Sequence, residues 1–208
     1  MFIHTCEQGT EEWYALRAGL PTASEFKKLV SGTGQLSKSL KEYAITLANE
    51  KHAGKPLEQW TGNQWTDRGK EIEDNARERY QYLNDVEAEQ IGFVTDRKVK
   101  PAYGCSPDSL VGDDGMLEIK CLKNENHTKA LMYYRENEKL LPDYVSQTQG
   151  QMLVCERKWC DLMFFHPDLP SLTIRQYPDP EFVKKLKSQI RAVNVERDRV
   201  LKIIQSFQ

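Results

Sequence analysis

Ser106-Pro107-Asp108, with Glu118-Ile119-Lys120 opening ten residues after Asp108 (118 minus 108), constrains this chain more than any other feature. The spacer from Ser109 to Leu117 reads as a strand, a Gly112-Asp113-Asp114-Gly115 turn and the start of a second strand, so Asp108 and Glu118 are expected to meet across a hairpin. Alternation along the second strand puts Met116, Glu118 and Lys120 on one face and turns Leu117 and Ile119 the other way, into the core. Two carboxylates offer the hard oxygen donors that Mg²⁺ or Mn²⁺ takes, and an ammonium two residues along stands close enough to orient or deprotonate a water. The pattern points to metal-assisted cleavage of a phosphodiester.

The tripeptide is not specific by itself. An acid two residues before a lysine occurs four times, at Glu25, Asp96, Glu118 and Glu156. Glu118 is set apart by its apolar strand setting, the turn before it and the Ser-Pro-Asp upstream; on local grounds alone an exposed, charged edge hairpin is an equal reading.

A length of 208 residues suits one domain, expected over 1–208. The five cysteines are odd in number and show no Cys-x-x-Cys spacing, which favours reduced thiols over disulfides or a zinc knuckle, and the four histidines show no zinc-type pairing. The opening residues lack a basic segment followed by an apolar one, and no apolar run approaches spanning length, so a cytoplasmic protein without a membrane segment is expected. A net charge of −2 argues against coating nucleic acid through a uniformly basic surface, yet leaves room for a basic channel offset by acidic outer faces.

Periodicity and punctuation give an α/β order without repeats or obvious linkers. Helices are expected at 11–17, capped by Thr10 and closed by Gly19; from a Thr22-Ala-Ser24-Glu25 capping box; from Ser37 or Ser39 to His52; and at 64–83, with Trp65, Ile72, Ala76, Tyr80 and Leu83 as a buried stripe. A strand at 90–95 precedes the hairpin. Helices at 128–140 and 143–156, strands at 159–165 and 171–176, and a helix at 181–207 follow. The last helix carries Phe182, Leu186, Ile190, Val193, Val200 and Ile204 as a core face or an oligomer contact.

Five segments, in order, resemble one family: Trp13-Tyr-Ala-Leu-Arg17-Ala-Gly-Leu-Pro-Thr22-Ala-Ser24, Gly69-Lys-Glu-Ile-Glu73-Asp-Asn-Ala-Arg77, Cys105-Ser106-Pro-Asp108, Leu117-Glu118-Ile-Lys120-Cys121 and Tyr144-Val-Ser-Gln147-Thr-Gln149. They are similar to the lambda-type phage exonucleases (alkaline exonucleases) of the PD-(D/E)XK nuclease superfamily, across about residues 7 to 165. The resemblance implies a restriction-endonuclease-like α/β core with a central mixed β-sheet flanked by helices. It further implies a Mg²⁺-dependent enzyme, with Mn²⁺ as a substitute, that degrades one strand of linear double-stranded DNA from the 5′ end. The 3′ single-stranded overhangs it leaves would feed phage-type recombination in the cytoplasm of a bacterial host, with a homotrimeric ring and a single-strand annealing protein as partner. A structure-specific or restriction-type endonuclease of the same superfamily is the nearer alternative; a non-catalytic DNA-binding module is the more distant one.

Residue by residue, the resemblance makes Glu73, Asp108, Glu118 and the Ile119 carbonyl metal ligands, Lys120 the group that holds and helps deprotonate the water, and Gln147 the support of that lysine and water. Arg17, Ser24 and Ser106 match a pocket for the terminal 5′-phosphate, which a guanidinium can grip bidentately. An apolar wedge that splits the terminal base pairs is implied near Trp60 and Trp65; Trp65 suits that role or a core position. The chain departs from the family after Lys120, where a proline and a phosphate-binding arginine are replaced by Cys121 to His127, leaving Lys123 and His127 as substitutes to be tested. The longer stretch from Asp96 to Pro101 leaves the role of Asp96 open.

Overall fold

The computed structural model describes residues 1–57 and 64–207, with the backbone alone described for 64–71. Thr10 caps helix α1 (Glu11–Arg17) by accepting the Trp13 amide at 3.3 Å, and Gly19, at φ 73°, turns the chain away in the left-handed region that glycine adopts without strain. The Thr22 capping box does not form. Ala23–Lys28 is a 3-10 helix whose Thr22 side chain makes no cap; that hydroxyl instead accepts from Arg17 at 3.4 Å, and Glu25 pairs with Lys28 at 2.6 Å. Helix α2 (Leu40–Ala53) ends on Gly54 at φ 69°, and helix α3 spans Gln64–Asn84.

Two sheets hold the strands. Strand β1 (Phe2–His4) pairs antiparallel with β3 (Phe93–Thr95), which pairs antiparallel with β4 (Gly104–Cys105). The main sheet is mixed, in the order β2 (Ala88–Glu89), β5 (Ser109–Val111), β6 (Gly115–Lys120), β7 (Cys160–His166) and β8 (Leu169–Gln176), with β6 and β7 parallel and the other neighbours antiparallel. The hairpin is as expected: Ser109 faces Leu117 and Val111 faces Gly115, so the next pair outward is Asp108 and Glu118.

Both faces of β6 are buried, which corrects the expectation of one core face. Leu117 and Ile119 pack with Ala76, Tyr80, Met163 and Phe165 under α3, while Met116 joins a larger core with Phe26, Leu47, Met152, Leu186 and Ile190. Helices α4 (Asn124–Asn137), α5 (Pro142–Cys155) and α6 (Pro180–Gln205) complete the covering, α4 through Ala130 against Leu162 and Phe164. In α6, Phe182, Leu186, Ile190 and Val193 are core, whereas Val200 and Ile204 are only half-buried. Leu83, expected in the buried stripe of α3, is exposed; the stripe ends at Tyr80. Trp60 lies outside the described residues, as does the side chain of Trp65, and with them the proposed wedge.

One contact ties α5 to the 3-10 helix. Gly150 faces Phe26 so closely that a Cβ there would lie 2.3 Å from the ring, an approach only glycine allows. All five cysteines are free thiols, and among the described residues no helix is long and apolar enough to cross a membrane.

Candidate active site

The hairpin register carries Asp108 to the end of β5 and Glu118 to the middle of β6. Asp108 Oδ2 accepts the Ile119 amide at 2.5 Å, which fixes its carboxyl against the neighbouring strand. Glu118 is almost fully buried, and every bond it makes is to a donor: Oε1 takes Lys120 Nζ at 2.6 Å and Gln147 Nε2 at 2.5 Å, and Oε2 takes Gln151 Nε2 at 2.5 Å. Lys120 also lies over the Tyr144 ring, 5.7 Å from its centroid. The structure brings Asp108, Glu118, Ile119, Lys120 and Gln147 together, with Gln147 bonded to Glu118 and not to Lys120.

Glu73 joins them from α3, on the opposite face of the sheet. Its Oε1 accepts from Arg77 at 3.0 Å, and Arg77 also donates to Asp74 at 2.6 Å and to Ser109 Oγ at 3.0 Å, so the buried guanidinium bolts the helix to the strand that follows Asp108. The carboxyls feel one another. Burial, then the charges of Glu118 and Glu73, push Asp108 well above its ordinary value; burial raises Glu73 too, with Arg77 opposing and Glu118 adding to the rise. Burial alone would lower the Lys120 ammonium, but Glu118 and Asp108 outweigh it and raise it. Even the neighbouring Cys121 thiol is pushed up to about 12 by burial and by Glu73 and Asp108.

Among the described residues no three His, Cys, Asp or Glu side chains already form a metal cage. The reason is visible in the bonding: both oxygens of Glu118 are engaged and Glu73 is turned to Arg77. The residues nonetheless fit a divalent cation. Their donors are all hard oxygens, and a positive ion between the three carboxyls would relieve the burial and mutual repulsion that hold two of them toward the protonated form.

A second cluster adjoins the first through Pro107. Arg17 donates to Ser106 Oγ at 3.2 Å, Thr22 Oγ1 at 3.4 Å and Ser24 Oγ at 3.5 Å, and its guanidinium stacks on Trp13, 4.2 Å from the ring centroid. Trp13 Nε1 donates to the same Ser106 oxygen at 2.8 Å. Among the described residues no carboxylate pairs directly with Arg17; burial lowers its pKa against the pull of Tyr43, Cys105, Glu25 and Glu50, so the cluster is a half-buried cation held by neutral hydroxyls. The 3-10 helix beside it is too short to add much dipole; the guanidinium carries the attraction.

Two sequence candidates fall away. His127 is fully buried and its Nε2 lies 2.9 Å from the Pro170 carbonyl, so it cannot meet a phosphate. Asp96 is spent on its own loop, accepting from the Ala102 amide at 2.8 Å and from Arg97 at 2.8 Å. Lys123 stands at the N-terminal boundary of α4, three residues beyond Lys120. Sequence reasoning missed Gln151, Trp13 and Arg77. Each lies four residues from a residue it did single out, Gln147, Arg17 and Glu73, so helical spacing was the available signal.

Residues 12–158 match the YqaJ-like viral recombinase domain. An alkaline exonuclease from Laribacter hongkongensis, LHK-Exo, shares 27% identity and superposes with a TM-score of 0.79, covering 95% of this chain and 97% of its own. LHK-Exo in complex with dAMP gives 27% identity and 0.78 over the same shares. A phage-related exonuclease from Haemophilus somnus 129PT, at 16% identity, has a TM-score of 0.67 over 89% of this chain and 96% of that one, and shares the fold. No curated protein sequence matches. The family match spans most of the chain, and its five-stranded mixed sheet flanked by helices is that of the alkaline exonuclease structures: the protein belongs to the YqaJ-like viral recombinase domain family.

Proposed function

We propose that this protein is a Mg²⁺-dependent exonuclease that degrades one strand of linear duplex DNA from its 5′ end and leaves 3′ single-stranded overhangs. One observation carries the reading: Ser106-Pro107-Asp108 joins a half-buried guanidinium held by neutral hydroxyls to a cluster of three carboxyls, so a terminal phosphate and a scissile linkage can be held side by side. Likeness to the alkaline exonucleases supports the reaction class. A neighbour that binds dAMP, a 5′-mononucleotide, agrees with it.

Asp108, Glu118, Glu73 and the Ile119 carbonyl would hold the cation, which when bound supplies Lewis-acid stabilisation of the phosphate and a water of lowered pKa. Lys120, protonated beside Glu118, orients the attacking water and offsets charge growing on the phosphate. Gln147 fixes the Glu118 oxygen that Lys120 also uses. Arg17, Ser24 and Ser106 seat the terminal phosphate, and Trp13 keeps the guanidinium flat and Ser106 aimed. The reading extends to a homotrimeric ring, a single-strand annealing partner and a role in phage-type recombination.

The deciding experiment digests linear and covalently closed duplex DNA with Mg²⁺ and with EDTA. Loss of linear DNA alone, only with Mg²⁺ and with 5′-mononucleotides as product, is the expected result. Cutting of the closed circle would point to the endonuclease reading; no cutting of either would point to a binding module.

A further inference from the structure

Gln151 lies one helical turn after Gln147 on α5 and is 1% exposed. Its side chain faces the oxygen of Glu118 that Lys120 and Gln147 leave: Nε2 donates to Oε2 at 2.5 Å. A carboxylate only accepts, so the amide edge turned toward it must be the NH₂ group, and this places the amide carbonyl on the far side. There Gln151 Oε1 is buried without a hydrogen-bond partner in the structure. Burying an amide with one end unsatisfied costs stability, and that cost is offset by the bond the other end gives to the buried carboxylate of Glu118. A residue kept at such a position is explained by what its satisfied end holds.

We propose that Gln151 is a positioning residue for the cation site: by engaging Oε2 from the buried side it sets the plane of the Glu118 carboxylate and the direction in which that group meets a divalent ion. The inference rests on the nuclease reading above and adds to it a residue four positions beyond Gln147. The two glutamines divide the work. Gln147 and Lys120 share Oε1, and among the described residues Gln151 alone anchors Oε2. Partners that orient a metal-binding carboxylate are worth about 10–100-fold in metal affinity or activity.

The test is calorimetric titration of Mn²⁺ into DNA-free protein, comparing the unaltered chain with Gln151→Met, which keeps the volume and removes the donor. The expected result is a dissociation constant weakened by about 10–100-fold, in a variant that keeps the circular dichroism of the unaltered protein, with cleavage recovered as Mn²⁺ is raised. Equal Mn²⁺ affinity in folded Gln151→Met overturns the inference and leaves the nuclease reading intact. Should unaltered protein bind no Mn²⁺, the nuclease reading falls and takes this inference with it. If Gln151→Met does not fold, the ¹⁵N side-chain amide signals of Gln151 in unaltered protein decide: they are expected to move saturably as Mg²⁺ is added, and signals that stay fixed through saturation overturn the assignment.

Discussion

Glu118 and Lys120, two residues apart on one strand, form a 2.6 Å ion pair in which the carboxylate is 3% exposed and the ammonium 21% exposed. Strand alternation makes the pair inevitable once β6 forms, since residues i and i+2 share a face. Desolvation makes it consequential: burial raises the cost of leaving either charge without the other.

Asp108→Ala, Glu118→Ala and Lys120→Ala are each expected to lower kcat about a thousandfold, roughly 4 kcal/mol of transition-state stabilisation. Digestion of an end-labelled duplex, with circular dichroism to establish folding, gives the measurement. A folded Lys120→Ala protein that digests at the unaltered rate would remove Lys120 from the mechanism.

Much of this site was legible beforehand because its logic is local. Hairpin register and a period of two are enough to unite Asp108, Glu118 and Lys120. The limits of α1, set by Thr10 and Gly19, follow from local chemistry that needs nothing distant. Failures came where a distant group competed. The Thr22 hydroxyl was lost to Arg17 and its amide to Tyr43 Oη, so the capping box had no cap to form. Gln149 and Gln151 are both buried, because β6 and the Tyr177–Asp179 segment supply partners that no local pattern announces. Met116 could not be seen to be core until α5 and α6 covered its side of the sheet.

Arg17→Ala is expected to reduce the preference for 5′-phosphorylated over 5′-hydroxyl ends by about 10–100-fold, the worth of one hydrogen bond to a charged group. Rates on the two ends measured side by side test it. Equal rates in the unaltered enzyme would mean that the Arg17 cluster serves no terminal phosphate.

The raised carboxyls of Asp108 and Glu73 set a pH dependence for the cation-free protein. In the fold each holds its proton to a higher pH than its ordinary value of 3.8 or 4.5, so the stability they contribute is complete below those values and drains away as pH climbs through the folded ones. Asp108→Asn cannot ionise and escapes its share. In EDTA its melting temperature should therefore gain on that of the unaltered protein as pH rises above 3.8, and saturating Mg²⁺ should reverse the order. Parallel melting curves across that range would show that Asp108 is not strained by its neighbours.

Away from the site, Asp161 is buried and accepts from Tyr80 Oη at 2.6 Å and from Arg175 at 2.7 and 2.8 Å. Asp161→Ala leaves a buried hydroxyl and a guanidinium without their acceptor and should cost about 3–5 kcal/mol of stability, read by urea denaturation. A loss below about 1 kcal/mol would mean that water replaces the carboxylate.

The oligomeric state is checked by light scattering after gel filtration. A homotrimer gives three times the 24.1 kDa of the chain, and a ring should resist competitor DNA once loaded. A mass of one chain at micromolar concentration, or digestion halted by competitor, would discard the ring without touching the carboxylate site.

Ser106 and Asp108 flank a single proline, whose ring fixes one backbone torsion between the hydroxyl that Arg17 holds and the carboxyl that Ile119 holds. Such a tripeptide is a ruler. Under the proposed function, a strand end whose phosphate rested against Ser106 would present its next linkage at an offset set by covalent geometry, the same for every base, so cut position would become a length measured in backbone and the sequence being digested would drop out of the choice.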